Sequence, residues 1–305
     1  MSDFVIVAEH LSKVFEPGIL RKKVTAVTDV SFEVRHREIF GFLGPNGAGK
    51  TTTLKMLMGL IFPSSGQAKI FDRPVSDVAA KRRIGFLPEN PYFYDYLSGM
   101  ELLDFMGRLF GLDRHERKKR AYKLLDRVGL GCAGDRALRK YSKGMLQRIG
   151  IAQALINDPE LVVLDEPMSG LDPIGRREIR DLIFDLRKDG KTVFFSTHIL
   201  SDVELLCDRV AMVVGGRLRD AGPLDQLLSP RLLHTEVVID IDGEKKILHL
   251  SPAEDVNQKL AEVLASKQRI VSVTPRRESL EDLFVREVKS GDVGGGAEHH
   301  LGDPK

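Results

Sequence analysis

The run Ile39–Leu43, IFGFL, is apolar throughout, and a helix-forming stretch opens at Lys50. Between them lies a short glycine-rich loop, Gly44-Pro-Asn-Gly-Ala-Gly49. A strand buried on both faces, a tight loop and a helix in immediate succession leave few folds open. The strand belongs inside a sheet, and the helix packs back across it. Gly44 to Thr51 also fits the pattern G-x-x-x-x-G-K-[ST], in the strand–loop–helix context that gives the pattern meaning. Successive backbone N–H groups on such a loop wrap phosphates, and glycine clears the space and permits the dihedrals. The helix dipole adds positive potential at its start. Lys50 supplies a point charge, and the Thr51 hydroxyl is a ligand for Mg²⁺.

The rest of the chain alternates in the same way. Apolar strand candidates fall at Val5–Ala8, Ser31–Val34, Ala68–Phe71, Ile84–Leu87, Leu161–Leu164, Thr192–Ser196 and Val210–Val214. Helical patterns fall at Lys50–Leu60, Gly99–Gly111, Arg114–Val128, Lys143–Asn157, Gly175–Lys188 and Leu200–Asp208. This is α/β architecture, a mixed and largely parallel sheet. Residues 91–158 break the alternation with helices alone and are expected to form an inserted helical subdomain, about residues 90–158 of a first domain spanning 1–222. From 223 to 289 the pattern becomes a hairpin turning at Asp242–Gly243, a helix at Ala253–Ser266, a strand at Arg269–Thr274 and a helix at Leu280–Lys289. That predicts a small α+β domain. Residues 290–305 carry no periodicity and are expected to be disordered.

Bulk properties exclude several classes. Lys and Arg total 46 against 44 Asp and Glu, a net charge of +2, so no strong field draws the chain to nucleic acid. The two cysteines, Cys132 and Cys207, make no disulfide framework or metal spacing and fit a reducing compartment. The N-terminal stretch MSDFVIVAEH lacks the charge and length of a signal peptide. No run of about 18 apolar residues spans a bilayer. Work at a membrane then requires docking on a partner.

The strand LVVLD leads into Asp165, Glu166 and Pro167. Carboxylates at the carboxyl end of a parallel strand face the ligand crevice. Asp165 suits Mg²⁺, and Glu166 suits a base that polarises water. Ser142, in YSKGMLQRIGIAQAL, begins a helix and so reads as a cap and as an anion site.

At this stretch the chain resembles the ATP-binding cassette family, the motor subunits of ABC transporters, over about residues 5–220. The motifs stand in the family's order: phosphate loop at Gly44–Thr52, glutamine-loop position at Glu89, signature at Tyr141–Met145, Asp165 and Glu166, the SGLD segment Ser169–Asp172, and His198 in STH. The resemblance implies that Gly44, Pro45, Asn46, Gly47, Ala48, Gly49, Lys50, Thr51 and Thr52 cradle ATP, with Phe15 stacking on adenine. It implies catalysis by Glu166, His198 and Lys50, and a metal site from Thr51, Asp165 and Glu89. It further implies that Ser142, Gly144 and Asp172 act across a homodimer or heterodimer. It also implies an integral-membrane permease as partner, a peripheral place at the cytoplasmic face of the inner membrane, and no nucleic acid.

This chain departs from the family pattern at three positions. Glu89 stands for glutamine, and Lys143 and Met145 stand in the signature for glycine and glutamine. An ionised Glu89 offers acceptors only. The signature departures, the short tail and PRRESLEDLFVRE resemble the bacterial export-type branch. Four aromatics in NPYFYDYL fit a permease interface or core packing. Gln147 and Arg148 read as helix surface. The basic runs Arg114–Arg120 and Leu20–Lys23 read as solvated. Competing classes are an importer subunit, a soluble cassette acting on nucleic acid or a protein complex, a P-loop kinase or GTPase, and a silent binding module.

Overall fold

The stretch IFGFL forms β3 (Ile39–Leu43), buried at every residue, in the interior of a six-stranded sheet of order β10-β9-β3-β8-β7-β6. The computed structural model describes residues 3–16, 23–227, 232–241, 244–266, 268–277 and 280–292. The described chain divides into two units, 1–224 and 225–305.

In the first unit, β1 (Phe4–Phe15) and β2 (Val24–Arg35) precede β3. Then come α1 (Lys50–Leu57), β4 (Ser65–Ile70), β5 (Arg73–Pro74), α2 (Val78–Lys81) and β6 (Ile84–Leu87). The helical stretch holds α3 (Gly99–Leu109), α4 (Arg114–Arg127) and α5 (Lys143–Ala154). It is followed by β7 (Leu161–Asp165), α6 (Pro173–Lys188), β8 (Thr192–Thr197), α7 (Leu200–Leu206), β9 (Arg209–Val214) and β10 (Arg217–Pro223), with α8 (Leu224–Leu227) at the boundary.

Strands β3, β6, β7, β8 and β9 run parallel, and β10 adds an antiparallel edge. The early strands do not join them. They build a separate antiparallel sheet of order β2-β1-β4-β5. One core joins the two sheets through an aromatic stack. Phe40 and Phe194 lie 5.6 Å apart and 8° from parallel, and Phe32 of β2 sits 5.8 Å from Phe40. Such offset pairs add to the burial of large apolar area. The opposite face of the parallel sheet packs on the helical insert through Leu102, Leu125 and Ile149, and on α6 through Ile183.

Local chemistry sets the helix starts. Ser98 and Glu101 form a reciprocal capping box on α3. Asp113, Ser142 and Asp172 cap α4, α5 and α6. The basic run on α4 is less solvated than the sequence suggests. Arg117 reaches Asp104 of α3 at 2.7 Å, and Arg120 donates to the Ile156 carbonyl just past α5, so both tie α4 to its neighbours. Gln147 is buried, and Arg148 pairs with Glu178 at 3.3 Å, so neither lies on an open helix face. An α-helix turns its inward stripe about every third or fourth residue, and Gln147 falls with Gly150, Ile151 and Ala154 on that stripe. Residues 17–22, with most of the other basic run, lie outside the described residues; Lys23 pairs with Glu16.

The second unit contains β11 (Leu232–Ile241), β12 (Glu244–Leu250), α9 (Val256–Ala265), β13 (Arg269–Arg277) and α10 (Leu280–Asp292). Its antiparallel sheet has order β12-β11-β13, over a core of Val237, Ile239, Leu250 and Val263. The expected turn at 242–243 lies outside the described residues. Residues 290–292, expected to be disordered, are instead helical, because α10 continues through Ser290, Gly291 and Asp292. Residues 293–305 lie outside the description.

Candidate functional site

The parallel strands deliver their carboxyl ends to one place. β3 leads into Gly44, β7 ends at Asp165, and β8 ends at Thr197 beside His198. In open α/β sheets this is where ligands bind.

The loop after β3 is shaped by what its glycines leave out. A Cβ on Gly44 would lie 2.3 Å from the Val213 carbonyl, and one on Gly49 would lie 2.5 Å from the Ala26 carbonyl. Gly49 also holds φ at 96° as it caps α1. Gly47 faces open space at φ 80°, and Pro45 and Asn46 stand beside it on the rim, where Asn46 is exposed. Ala48 is buried, its N–H bonded to the Pro45 carbonyl at 3.2 Å. The result is an open concavity at the positive end of α1.

Lys50 is the buried cation of the site. Its ammonium donates to the Gly44 carbonyl at 2.7 Å and the Pro45 carbonyl at 3.1 Å, and lies 3.1 Å from Glu166 Oε1. Both side chains are only 6% exposed, so little water screens the pair. The other Glu166 oxygen meets His198 Nδ1 at 2.9 Å. Lys50, Glu166 and His198 therefore form one continuous chain of contacts, with the His198 ring reaching partly into solvent. Glu166 itself sits at φ 50°, a conformation uncommon outside glycine and one that costs of order 1–3 kcal/mol when the surroundings impose it.

Two hydroxyls organise the acids. Ser196 Oγ donates to Asp165 Oδ1 at 2.6 Å and accepts from the Glu166 N–H at 2.9 Å. The Thr51 hydroxyl also faces the Asp165 carboxylate. Burial pushes the Asp165 carboxyl above its ordinary value, these two hydroxyls pull it back, and the charges of Glu89 and Glu166 push it up again. Glu89 itself stands exposed just beyond β6. Thr51, Asp165 and Glu89 thus offer oxygen donors only, the set that Mg²⁺ takes. Thr52 is half-buried on the first turn of α1.

Ser196 was not singled out in the sequence. Its signal was a hydroxyl inside TVFFST, a strand buried at every residue, where each polar side chain needs a partner. Ser196→Ala should leave the Glu166 N–H unpaired and remove a donor from Asp165. A loss of about 1–3 kcal/mol is expected, read by urea unfolding of the two proteins.

The remaining site residues lie apart from this group. Ser142 and Asp172 cap adjacent helix starts, accepting from Met145 N at 3.3 Å and Gly175 N at 2.8 Å. Together with Gly144 they line a cleft of about 420 Å³, and no residue of the phosphate loop lines it. Lys143 folds against Gly170 at the cleft wall, and Met145 packs on the core. Phe15, at the end of β1, is 40% exposed, with the Lys13 ammonium 5.3 Å above its ring.

A glycine cradle at a helix start, a buried lysine, and a paired metal-type and base-type carboxylate at strand ends define a P-loop nucleoside triphosphatase. Comparison with known proteins sharpens this. Residues 27–169 match the family described as ABC transporter. An uncharacterized ABC transporter ATP-binding protein of Synechocystis is 45% identical over 95% of this chain and 86% of its own length. The bacitracin transport ATP-binding protein BcrA of Bacillus licheniformis is 35% identical over 88% of this chain and 94% of its own. Among solved structures, a dimeric post-hydrolysis ATP-binding cassette bound to ADP and Pi aligns with TM-score 0.66 and 25% identity, covering 72% of this chain and 98% of that one. The chain belongs to the ABC transporter ATP-binding proteins and is an ATPase.

Proposed function

We propose that this protein is the motor subunit of a membrane exporter. Two copies of this cassette clamp ATP and Mg²⁺ head to tail, and closure drives a separate permease. The observation that carries this reading is the separation of two anion-suited places on one chain. The Lys50 loop lies at the ends of β3, β7 and β8, while the Ser142 helix start opens into a cleft of its own. In this reading a second copy brings Ser142, Gly144 and Asp172 over the nucleotide held by the first. The dimeric cassette found with ADP and Pi supports it.

The chemistry follows from the contacts. Lys50 already donates inward to the loop carbonyls and stands in ion-pair contact with Glu166. An incoming terminal phosphate competes for that ammonium and releases Glu166 to accept a proton from water. His198, on the other Glu166 oxygen, holds the carboxylate in place. Phe15 offers its exposed ring face to the base. Thr51, Asp165 and Glu89 would hold Mg²⁺, which neutralises charge on the phosphates.

Export as the direction rests on relatives. A fluoroquinolones export ATP-binding protein of Mycobacterium tuberculosis is 45% identical over 63% of this chain. Among the described residues no helix is long and apolar enough to cross a membrane. In this reading the permease is a separate chain, and this subunit sits peripherally on the membrane's cytoplasmic face. The permease meets the loop after β6. Tyr92 is fully exposed, and Tyr94 and Tyr96 are 54% and 66% exposed, while Phe93 of the same run packs on the core. Exposed aromatics in a cluster mark interfaces.

The test is affinity capture from detergent-solubilised membranes of the source cell. The wild-type chain should retain an integral membrane protein. A Tyr92→Ser, Tyr94→Ser, Tyr96→Ser variant should lose it and keep basal ATPase activity. Equal retention by both, or none by either, contradicts the proposed docking.

A further inference from the structure

The second unit carries a cluster of metal-type donors that the nucleotide chemistry does not use. Side chains on β11 alternate, and Thr235, Val237 and Ile239 are buried. His234 and Glu236 therefore share the other face. In the register of the sheet, Glu236 stands directly opposite His249 of β12, and His234 stands opposite Arg276 of β13. Paired positions share a face, so the three strands bring His234, Glu236, His249 and Arg276 together.

The contacts match that placement. The two imidazoles meet edge to face, with centroids 4.8 Å apart. His234 Nε2 lies 3.5 Å from Glu236 Oε1, and one donor atom from each of His234, Glu236 and His249 lies within 4.8 Å of the others. Among the described residues this is the one such group of three His, Cys, Asp or Glu side chains. His234 Nε2 is shielded from solvent and has no hydrogen-bond partner. Its nearest partner, the Glu236 carboxylate at 3.5 Å, is too far for a good hydrogen bond, and an ion between the two would satisfy both. Arg276 Nε takes the second Glu236 oxygen at 3.1 Å, which leaves Oε1 turned toward the histidines. Ligating carboxylates are held by outer hydrogen bonds in this way.

We propose that His234, Glu236 and His249 bind a late first-row divalent cation such as Zn²⁺. Two imidazoles and a carboxylate suit that class of metal and do not suit Mg²⁺ or Ca²⁺, which take oxygen ligands. Bond lengths of about 2.0–2.2 Å put tetrahedral ligand atoms about 3.3 Å apart. The donor atoms, all within 4.8 Å of one another, draw closer to reach that spacing, and the exposed His249 ring is the one freest to move. Three protein ligands leave a position for water or another donor. The ion staples β12 to β11, so it acts on the second unit's stability.

The test uses the full-length chain without nucleotide, carrying His299→Ala and His300→Ala to remove the tail histidines. Zn²⁺ affinity is measured by competition with a chromophoric chelator in excess Mg²⁺, and Co²⁺ is added as an optical probe. One Zn²⁺ per chain is expected, with a rise in melting temperature and a tetrahedral Co²⁺ absorption band. His249→Ala, on an exposed ring, and the isosteric Glu236→Gln should each weaken Zn²⁺ binding at least tenfold and abolish the band. Circular dichroism on the same samples verifies the fold. Undiminished Zn²⁺ affinity in a folded variant, or no stoichiometric binding by the parent, overturns the proposal.

Discussion

Glu166→Gln should lower ATP turnover by about 10²–10⁴-fold, the range that a positioned general base contributes, and leave ATP binding intact. The substitution preserves size and shape in a pocket where the side chain is 6% exposed. An amide oxygen can still lie beside Lys50 Nζ, 3.1 Å away in the native chain, and the amide nitrogen can still face His198 Nδ1 at 2.9 Å. What the amide lacks is basicity toward water. Single-turnover hydrolysis and nucleotide affinity, measured on the same preparation, separate the two effects. Turnover within threefold of wild type would remove Glu166 from the role of base.

Lys50→Ala should do more than weaken phosphate binding. The lysine ammonium is the nearest cation to a buried carboxylate, and it also occupies the Gly44 and Pro45 carbonyls. Removing one member of a buried pair leaves an uncompensated charge and costs about 3–5 kcal/mol. On the ligand side, a lost charge-assisted hydrogen bond of about 1.5–3 kcal/mol corresponds to ATP affinity weaker by about one to two orders of magnitude. The expected result is therefore a lower urea midpoint without nucleotide and a large rise in Kd for ATP. Lys50→Ala together with Glu166→Gln should recover much of the stability and none of the affinity. Equal stability of the two proteins would mean that Lys50 and Glu166 do not depend on each other in the folded chain.

That coupling was the part of the site least visible in the sequence. The loop, the acids after LVVLD and the histidine after TVFFST could be read because each sits where a buried strand stops, and buried strands are plain apolar runs. Their mutual contacts depend on which strands are neighbours, and apolar runs do not record that. The structure sets β3 and β7 on either side of β8, so Lys50 and Glu166 meet across it. Ser196 was hidden for the same reason, since its two partners come from β7.

The antiparallel sheet was also only partly legible. The apolar kernel Val5–Ala8 marks β1, yet the strand runs on through Phe15. The segment beyond the kernel carries polar residues, a positive φ at His10 and register shifts, all of which blur the period of two. The first strands form their own sheet, held to the parallel one by the Phe32, Phe40 and Phe194 stack, a contact between residues up to 162 positions apart. Gln147 misleads because a polar residue on a buried stripe breaks the pattern by which the stripe is recognised.

The central claim is that ATP joins two copies of this chain, and the most direct measurement is the solution mass of Glu166→Gln by light scattering, with and without saturating ATP and Mg²⁺. The account predicts the mass of one chain without nucleotide and twice that mass with it. A single-chain mass at saturating ATP and Mg²⁺, in protein shown to have bound the nucleotide, would contradict it.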